Sequence, residues 1–145
     1  MYRHILIASD GSQLSERAVT HAVGLAKALG ARLTAVTATE PKLTGQAEFA
    51  RIGCSQEEYD AAVTAVAGSI LGTISAAAGA GGVACEGVHV RNAYPAEAIL
   101  ATAREKGCDL IVLASHGRKG WAKLLAGSES DKVAHQSEIP VLIVR

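Results

Sequence analysis

Two clusters of residues have the makings of a site for a phosphorylated ligand. The first is Ala114-Ser115-His116-Gly117, followed by nine residues and then Gly127-Ser128-Glu129-Ser130. The two glycines let the backbone approach a ligand closely. If Ser128 opens a helix, the amides of Ser128 to Ser130 point at an anion with the helix dipole behind them. That is a phosphate cradle. The same residues also serve as a strand end at Gly117, a turn at Gly127 and a helix cap at Ser128, so the pattern alone leaves both readings open. The second cluster is Ser9-Asp10-Gly11-Ser12. The Asp10 carboxylate is an acceptor suited to ribose hydroxyls or an adenine amino group, or equally an Asx-turn residue that holds the loop into the next helix.

Other chemistries find less support. The sequence has no Walker lysine, no Gly-x-Ser-x-Gly elbow, no Cys-x2-Cys and no His-Glu-x2-His. His4, His21, His89 and His135 lack metal-ligand spacing, so no metal site built from protein ligands alone is expected. His116 is placed to donate to a phosphate or to bond backbone. Trp121, between the two glycine clusters, is a candidate for packing, a partner contact or a lid. Cys108, just before an apolar run, reads as packing.

The elements that must position these clusters follow from periodicity. Short apolar runs at Ile5 to Ala8, Leu33 to Val36, Val88 to Val90, Leu110 to Ala114 and Val141 to Val144 read as five strands. Ser12 to Leu29 repeats apolar residues at helical spacing, with Ser12 as N-cap and Gly30 past the end. Ser55-Gln56-Glu57-Glu58 is a capping box that opens a second helix running to about Ala78. Pro95 at a first helical position starts a third, which stops at Gly107, and a fourth runs from near Ser128 to about Gln136. The segment from Thr39 to Cys54, with Pro41 and Gly45, reads as a long loop over the sheet edge. Strand and helix thus alternate, and uninterrupted apolar strands are what a parallel sheet covered on both faces requires. The fold class is doubly wound α/β in a single domain, 1–145. Ligands in such sheets sit beyond the carboxyl ends of strands where the order reverses, which points to the residues after the first and fourth strands.

Composition narrows the partners. The 145 residues carry 14 Lys plus Arg against 14 Asp plus Glu, so bulk attraction to nucleic acid or an anionic membrane is not expected. Aromatic residues make up 3% of the chain, too few for a base-stacking platform. Cys54, Cys85 and Cys108 are odd in number and widely spaced, which argues against a disulfide framework. The opening apolar run is too short for a secretory leader, and no membrane span is expected. A cytoplasmic location follows.

The residues resemble the universal stress protein family along essentially the whole chain. Ile5-Leu6-Ile7-Ala8-Ser9-Asp10-Gly11-Ser12 is similar to the family's opening strand and acidic loop, Pro95 to Ile99 to its third-helix start, and Ser137 to Val144 to its closing strand. The family's ATP signature, Gly-x2-Gly-x9-Gly-Ser/Thr, is matched as Ala114-x2-Gly117-x9-Gly127-Ser128, with alanine in place of the first glycine. The resemblance implies a Rossmann-like three-layer sandwich around a five-stranded parallel sheet of order 3-2-1-4-5. It implies ATP as ligand, with Mg²⁺ held through the phosphates and Ser128 or Ser130. Ala8, Ser9, Asp10 and Val36 would hold the adenosine. Leu113, Ala114, Ser115, His116 and Gly117 would line the ribose and phosphates, and Gly127, Ser128 and Ser130 would grip the triphosphate. Glu129 puts a carboxylate in the first turn of that helix, where it would repel a phosphate if it pointed inward.

Three functions are carried forward. The first is a regulatory stress-response protein that binds ATP, with occupancy ordering the Gly117 to Gly127 loop and altering a surface that faces a protein partner. The second is a nucleotide-independent homodimeric interaction module. The third, adenylate or phosphoryl transfer, lacks an identifiable general base, which leaves at most slow hydrolysis. The apolar strand Val141 to Val144 reads as a sheet edge in need of a partner, and the resemblance implies pairing with a second copy across a two-fold axis.

Overall fold

The computed structural model describes residues 1–41, 45–115 and 129–145. Five parallel strands, β1 (His4–Ala8), β2 (Arg32–Thr39), β3 (Cys85–Arg91), β4 (Leu110–Ala114) and β5 (Val141–Val144), form one sheet of order β3-β2-β1-β4-β5. The helices are α1 (Gln13–Leu29), α2 (Gln46–Ile52), α3 (Gln56–Ala80), α4 (Pro95–Lys106) and α5 (Glu129–Gln136). The expected doubly wound architecture and strand order are the observed ones.

Alternation along the strands divides the interior in two. Ile5 and Ile7 of β1 pack with Leu33 and Ala35 of β2 under α1 and α3, against Ala18, Ala22, Ile74 and Ala78. Leu6 and Ala8 face the other way, toward Val36, Ile111, Ile99 and Ala103, under α4 and α5. Every residue of the central strands β1 and β4 is buried, which is why, His4 at the start of β1 apart, they are apolar without a polar alternation. The chain runs outward from β1 through β2 to β3, then crosses back to β4 and on to β5. The order therefore reverses between β1 and β4, whose C-terminal ends lie side by side, the place where sheets of this class form their ligand crevice.

Three departures from the sequence reading have physical causes. First, β2 and β3 extend beyond their apolar runs, with Thr37 to Thr39 in register with His89 to Arg91. Strand β3 is at an edge and largely half-buried or exposed, so polar residues enter the ladder at little cost, and Thr39 Oγ1 lies 2.8 Å from His89 Nε2. Second, the segment read as a long loop contains α2. Seven residues are too few to show a period, and what holds the helix is tertiary: Phe49 is buried against Tyr59, with ring centroids 5.6 Å apart. Third, α3 is apolar enough to span a membrane by length and composition, with mean hydropathy 1.7 over its most apolar window. Residues 61–80 carry no charge. Ala67, Ile74 and Ala78 are its buried residues, while Val66 on its outer side is exposed.

Helix ends follow local rules. Ser12 Oγ accepts from Ser15 N–H at the start of α1, and Gly30 closes that helix in the left-handed region at φ 64°. Ser55 Oγ accepts from Glu58 N–H at the start of α3. Pro95 stands at the head of α4, whose N-cap residue Tyr94 offers no side-chain acceptor.

Candidate functional site

The loop after β1 is stitched to the sheet and to α1. Ser9 N–H donates to the Val36 carbonyl at 3.1 Å, and Ser9 Oγ accepts from Gly11 N–H at 3.1 Å. Asp10 Oδ1 accepts from Ser12 N–H at 2.9 Å and from the Ser15 hydroxyl. The Asx-turn role of Asp10 is therefore real, and it occupies one carboxylate oxygen. The other, Oδ2, is buried and has no hydrogen-bond partner among the described residues. A buried carboxylate oxygen without a donor is costly, and structures rarely leave one without a reason. Gly11 takes φ +80°, and a Cβ there would lie 3.1 Å from Ile70 Cγ1, so the loop also rests directly on α3.

The end of β4 is built as tightly. Leu113 and Ala114 are in register with Ile143 and Val144 of β5, and Ser115 N–H donates to the Val144 carbonyl at 2.9 Å. The Ser130 hydroxyl, at the start of α5, donates to the Ala114 carbonyl at 2.9 Å. Asn92 is the one non-glycine residue with positive φ among the described residues, so alanine at 114 sits in ordinary strand geometry. The Ala114 methyl is buried in the core beneath α1. Alanine in place of the signature glycine thus strains nothing here.

Of the expected site residues, Ala8, Ser9 and Asp10 lie at and beyond the C-terminal end of β1, and Val36 lies within β2 in register with Ala8. Leu113, Ala114 and Ser115 lie at the neighbouring end of β4, and Glu129 and Ser130 at the head of α5. His116, Gly117, Gly127 and Ser128 fall outside the described residues, as does Trp121. The side chains of Ala8, Val36 and Leu113 are core, at most 1% exposed, so what they can offer a ligand is backbone. The sequence reading missed where the Glu129 carboxylate goes. It is 2% exposed, and Oε2 accepts from Ala96 N–H of α4 at 2.7 Å while Oε1 lies 3.1 Å from Lys132 Nζ. No spacing rule could have found that bond, because the two residues are 33 positions apart.

The ionisable groups with displaced pKa values lie away from this crevice. Burial, and then Arg32, hold His4 below the usual histidine range, and its Nε2 is 2.7 Å from Thr34 Oγ1. Burial, and then Arg91, lower His89. Burial pushes the Cys108 thiol up to about 11. Among the described residues no group of three or more His, Cys, Asp or Glu could hold a metal ion.

The family model described as "Universal stress protein family" matches residues 1–145. The chain belongs to the universal stress protein family. The universal stress protein YxiE of Bacillus subtilis is 35% identical, with all of both chains covered. A universal stress protein solved in complex with cAMP is 30% identical and superposes with a TM-score of 0.74, covering 99% of this chain and 97% of the other. The UspA structure from Lactobacillus plantarum, 22% identical over 99% of this chain and 98% of its own, reaches 0.81 and shows the shared fold. In this universal stress protein the Ala114 side chain is buried in the core, and the Glu129 carboxylate is hydrogen-bonded within the fold.

Proposed function

We propose that this universal stress protein binds ATP, with Mg²⁺ held through the phosphates, in the crevice at the C-terminal ends of β1 and β4, and works as a cytoplasmic regulatory protein. The observation that carries the reading is the buried Asp10 Oδ2 at the strand-order reversal, which has no partner among the described residues. It is an acceptor with no donor among the described residues, and ribose hydroxyls or the adenine amino group are donors of the right kind. The relative solved with cAMP supports an adenine nucleotide as the class of ligand. Ser9, Asp10 and the backbone of Ala8 and Val36 would hold the adenosine. Leu113 to Gly117 would run beside the ribose and phosphates, and Gly127, Ser128 and Ser130 would take the triphosphate. Bound Mg²⁺ would neutralise part of the phosphate charge, with Ser128 or Ser130 as its protein ligand. The reading is of binding, with the occupied form recognised by a protein partner.

Freshly purified protein, denatured and analysed by chromatography, should release an adenine nucleotide, and the emptied protein should give heat with Mg-ATP in a calorimeter. An absence of nucleotide, with no heat at millimolar Mg-ATP, would refute the assignment.

The second reading, a homodimeric interaction module, is favoured by β5. It is an edge strand, and its Leu142 side chain is 39% exposed. We propose that two copies pair through Val141 to Val144, a contact compatible with either function.

A further inference from the structure

Among the described residues Glu129 is the only acidic residue buried as a whole. Burial of a carboxylate is costly unless it is hydrogen-bonded and paired, and here both conditions are met by groups from different elements. Helix α4 begins with Pro95, which has no N–H, and its N-cap Tyr94 supplies no side-chain acceptor. The Ala96 N–H is therefore an orphan of the first turn. Glu129 Oε2 meets it at 2.7 Å, with the positive end of the α4 dipole behind it, and Lys132 Nζ meets Oε1 at 3.1 Å. On the next residue, the Ser130 hydroxyl binds the Ala114 carbonyl at 2.9 Å. The first two residues of α5 are thus tied to the start of α4 and to the end of β4.

We propose that Glu129 is the positioning residue of the phosphate-binding end of the site, a cap supplied by a different helix of the same chain that locks the first turn of α5 to the first turn of α4. The proposal rests on the reading of this crevice as a nucleotide site. Its consequence is opposite to that of a carboxylate aimed at the ligand: Glu129 helps the triphosphate by fixing the Glu129 and Ser130 amides at the head of α5, and leaves adenosine recognition at Ser9, Asp10 and Val36 untouched.

The test is calorimetry of wild type, Glu129→Ala and Glu129→Gln with Mg-ATP and with adenosine, beside ¹H–¹⁵N spectra of the same proteins without nucleotide. Glu129→Ala should weaken Mg-ATP by about tenfold, the loss of one charge-assisted hydrogen bond, and change adenosine by no more than about twofold. Glu129→Gln keeps an acceptor for Ala96 N–H and should restore Mg-ATP binding to within about threefold. The Ala96 amide resonance should move in Glu129→Ala and stay near its place in Glu129→Gln. Glu129→Ala binding Mg-ATP as tightly as wild type or tighter, losing adenosine equally, or leaving the Ala96 resonance unmoved would each overturn the positioning role alone. A wild type that binds neither ligand would overturn the nucleotide reading and the positioning role with it.

Discussion

Gly11 couples the loop after β1 to α3 through a contact that can be weighed. Two terms oppose an alanine there. The first is conformational: at φ +80° an L side chain sits in the left-handed region, at about 1 kcal/mol. The second is steric, because the new Cβ would stand 3.1 Å from Ile70 Cγ1 and 3.2 Å from Cδ1, tight enough that Ile70 must give way. Overpacking of this kind adds about 1 kcal/mol at the low end of its range. Gly30 isolates the first term, since it has φ +64° with nothing within 4 Å of its Cβ position. Gly30→Ala should therefore cost about 1 kcal/mol and Gly11→Ala about 2 kcal/mol, or roughly 3 °C and 6 °C in Tm for a chain of this size. Urea unfolding at one fixed protein concentration measures both, with Ile70→Ala and the Gly11→Ala/Ile70→Ala double variant closing the cycle. The double variant should be more stable than the sum of the singles by about 1 kcal/mol. Equal losses at Gly11 and Gly30, with additive behaviour toward Ile70, would refute the contact.

Three further outcomes follow from the same geometry. His4 and His89 both have lowered pKa values in the fold, so below about pH 6.5 the unfolded chain binds more protons than the native one, and stability present above that pH is lost as pH falls. Urea midpoints should drop between about pH 7.5 and pH 5.5, and His4→Gln should flatten that slope; an unchanged slope would contradict the role given to His4. Cys108, buried and raised to about 11, should be the last of the three thiols to react with a disulfide reagent in the native protein, and labelling as fast as at half-buried Cys54 would count against it. Leu142→Lys should convert the proposed dimer to monomer in light scattering without unfolding it, since Leu142 is already 39% exposed, and a persistent dimer would remove β5 as the interface.

How far the sequence could be read depended on how many neighbours each residue answers to. Strands β1 and β4 are buried on both faces, so every position but His4, which is hydrogen-bonded to Thr34, is apolar and their runs are plain to see. The far ends of β2 and β3 lie toward an edge, where Thr37, Thr39, His89 and Arg91 satisfy the ladder with backbone alone and leave no hydrophobic trace. Helix α2 depends on the Phe49–Tyr59 contact, which sequence spacing does not encode. Local chemistry, by contrast, was legible: Ser12, Gly30, Ser55 and Pro95 occupy the caps and turns their types demand. In the site, Asp10 offered two readings and the structure holds the Asx turn on Oδ1 while Oδ2 is left over. The bond made by Glu129 leaves no trace in the sequence, because a first-turn carboxylate is read along its own helix and its partner is the first turn of another.

The central claim is that Asp10 Oδ2, without a donor among the described residues, receives one from a bound nucleotide. Asp10→Asn tests it most directly: an amide can keep an oxygen at the Oδ1 position for Ser12 N–H and Ser15, while its NH₂ replaces the free acceptor with a donor. Calorimetric titration of the emptied variant with Mg-ATP should show affinity reduced by about tenfold to a hundredfold from wild type, with the melting temperature little changed. Wild-type affinity in Asp10→Asn would contradict the account.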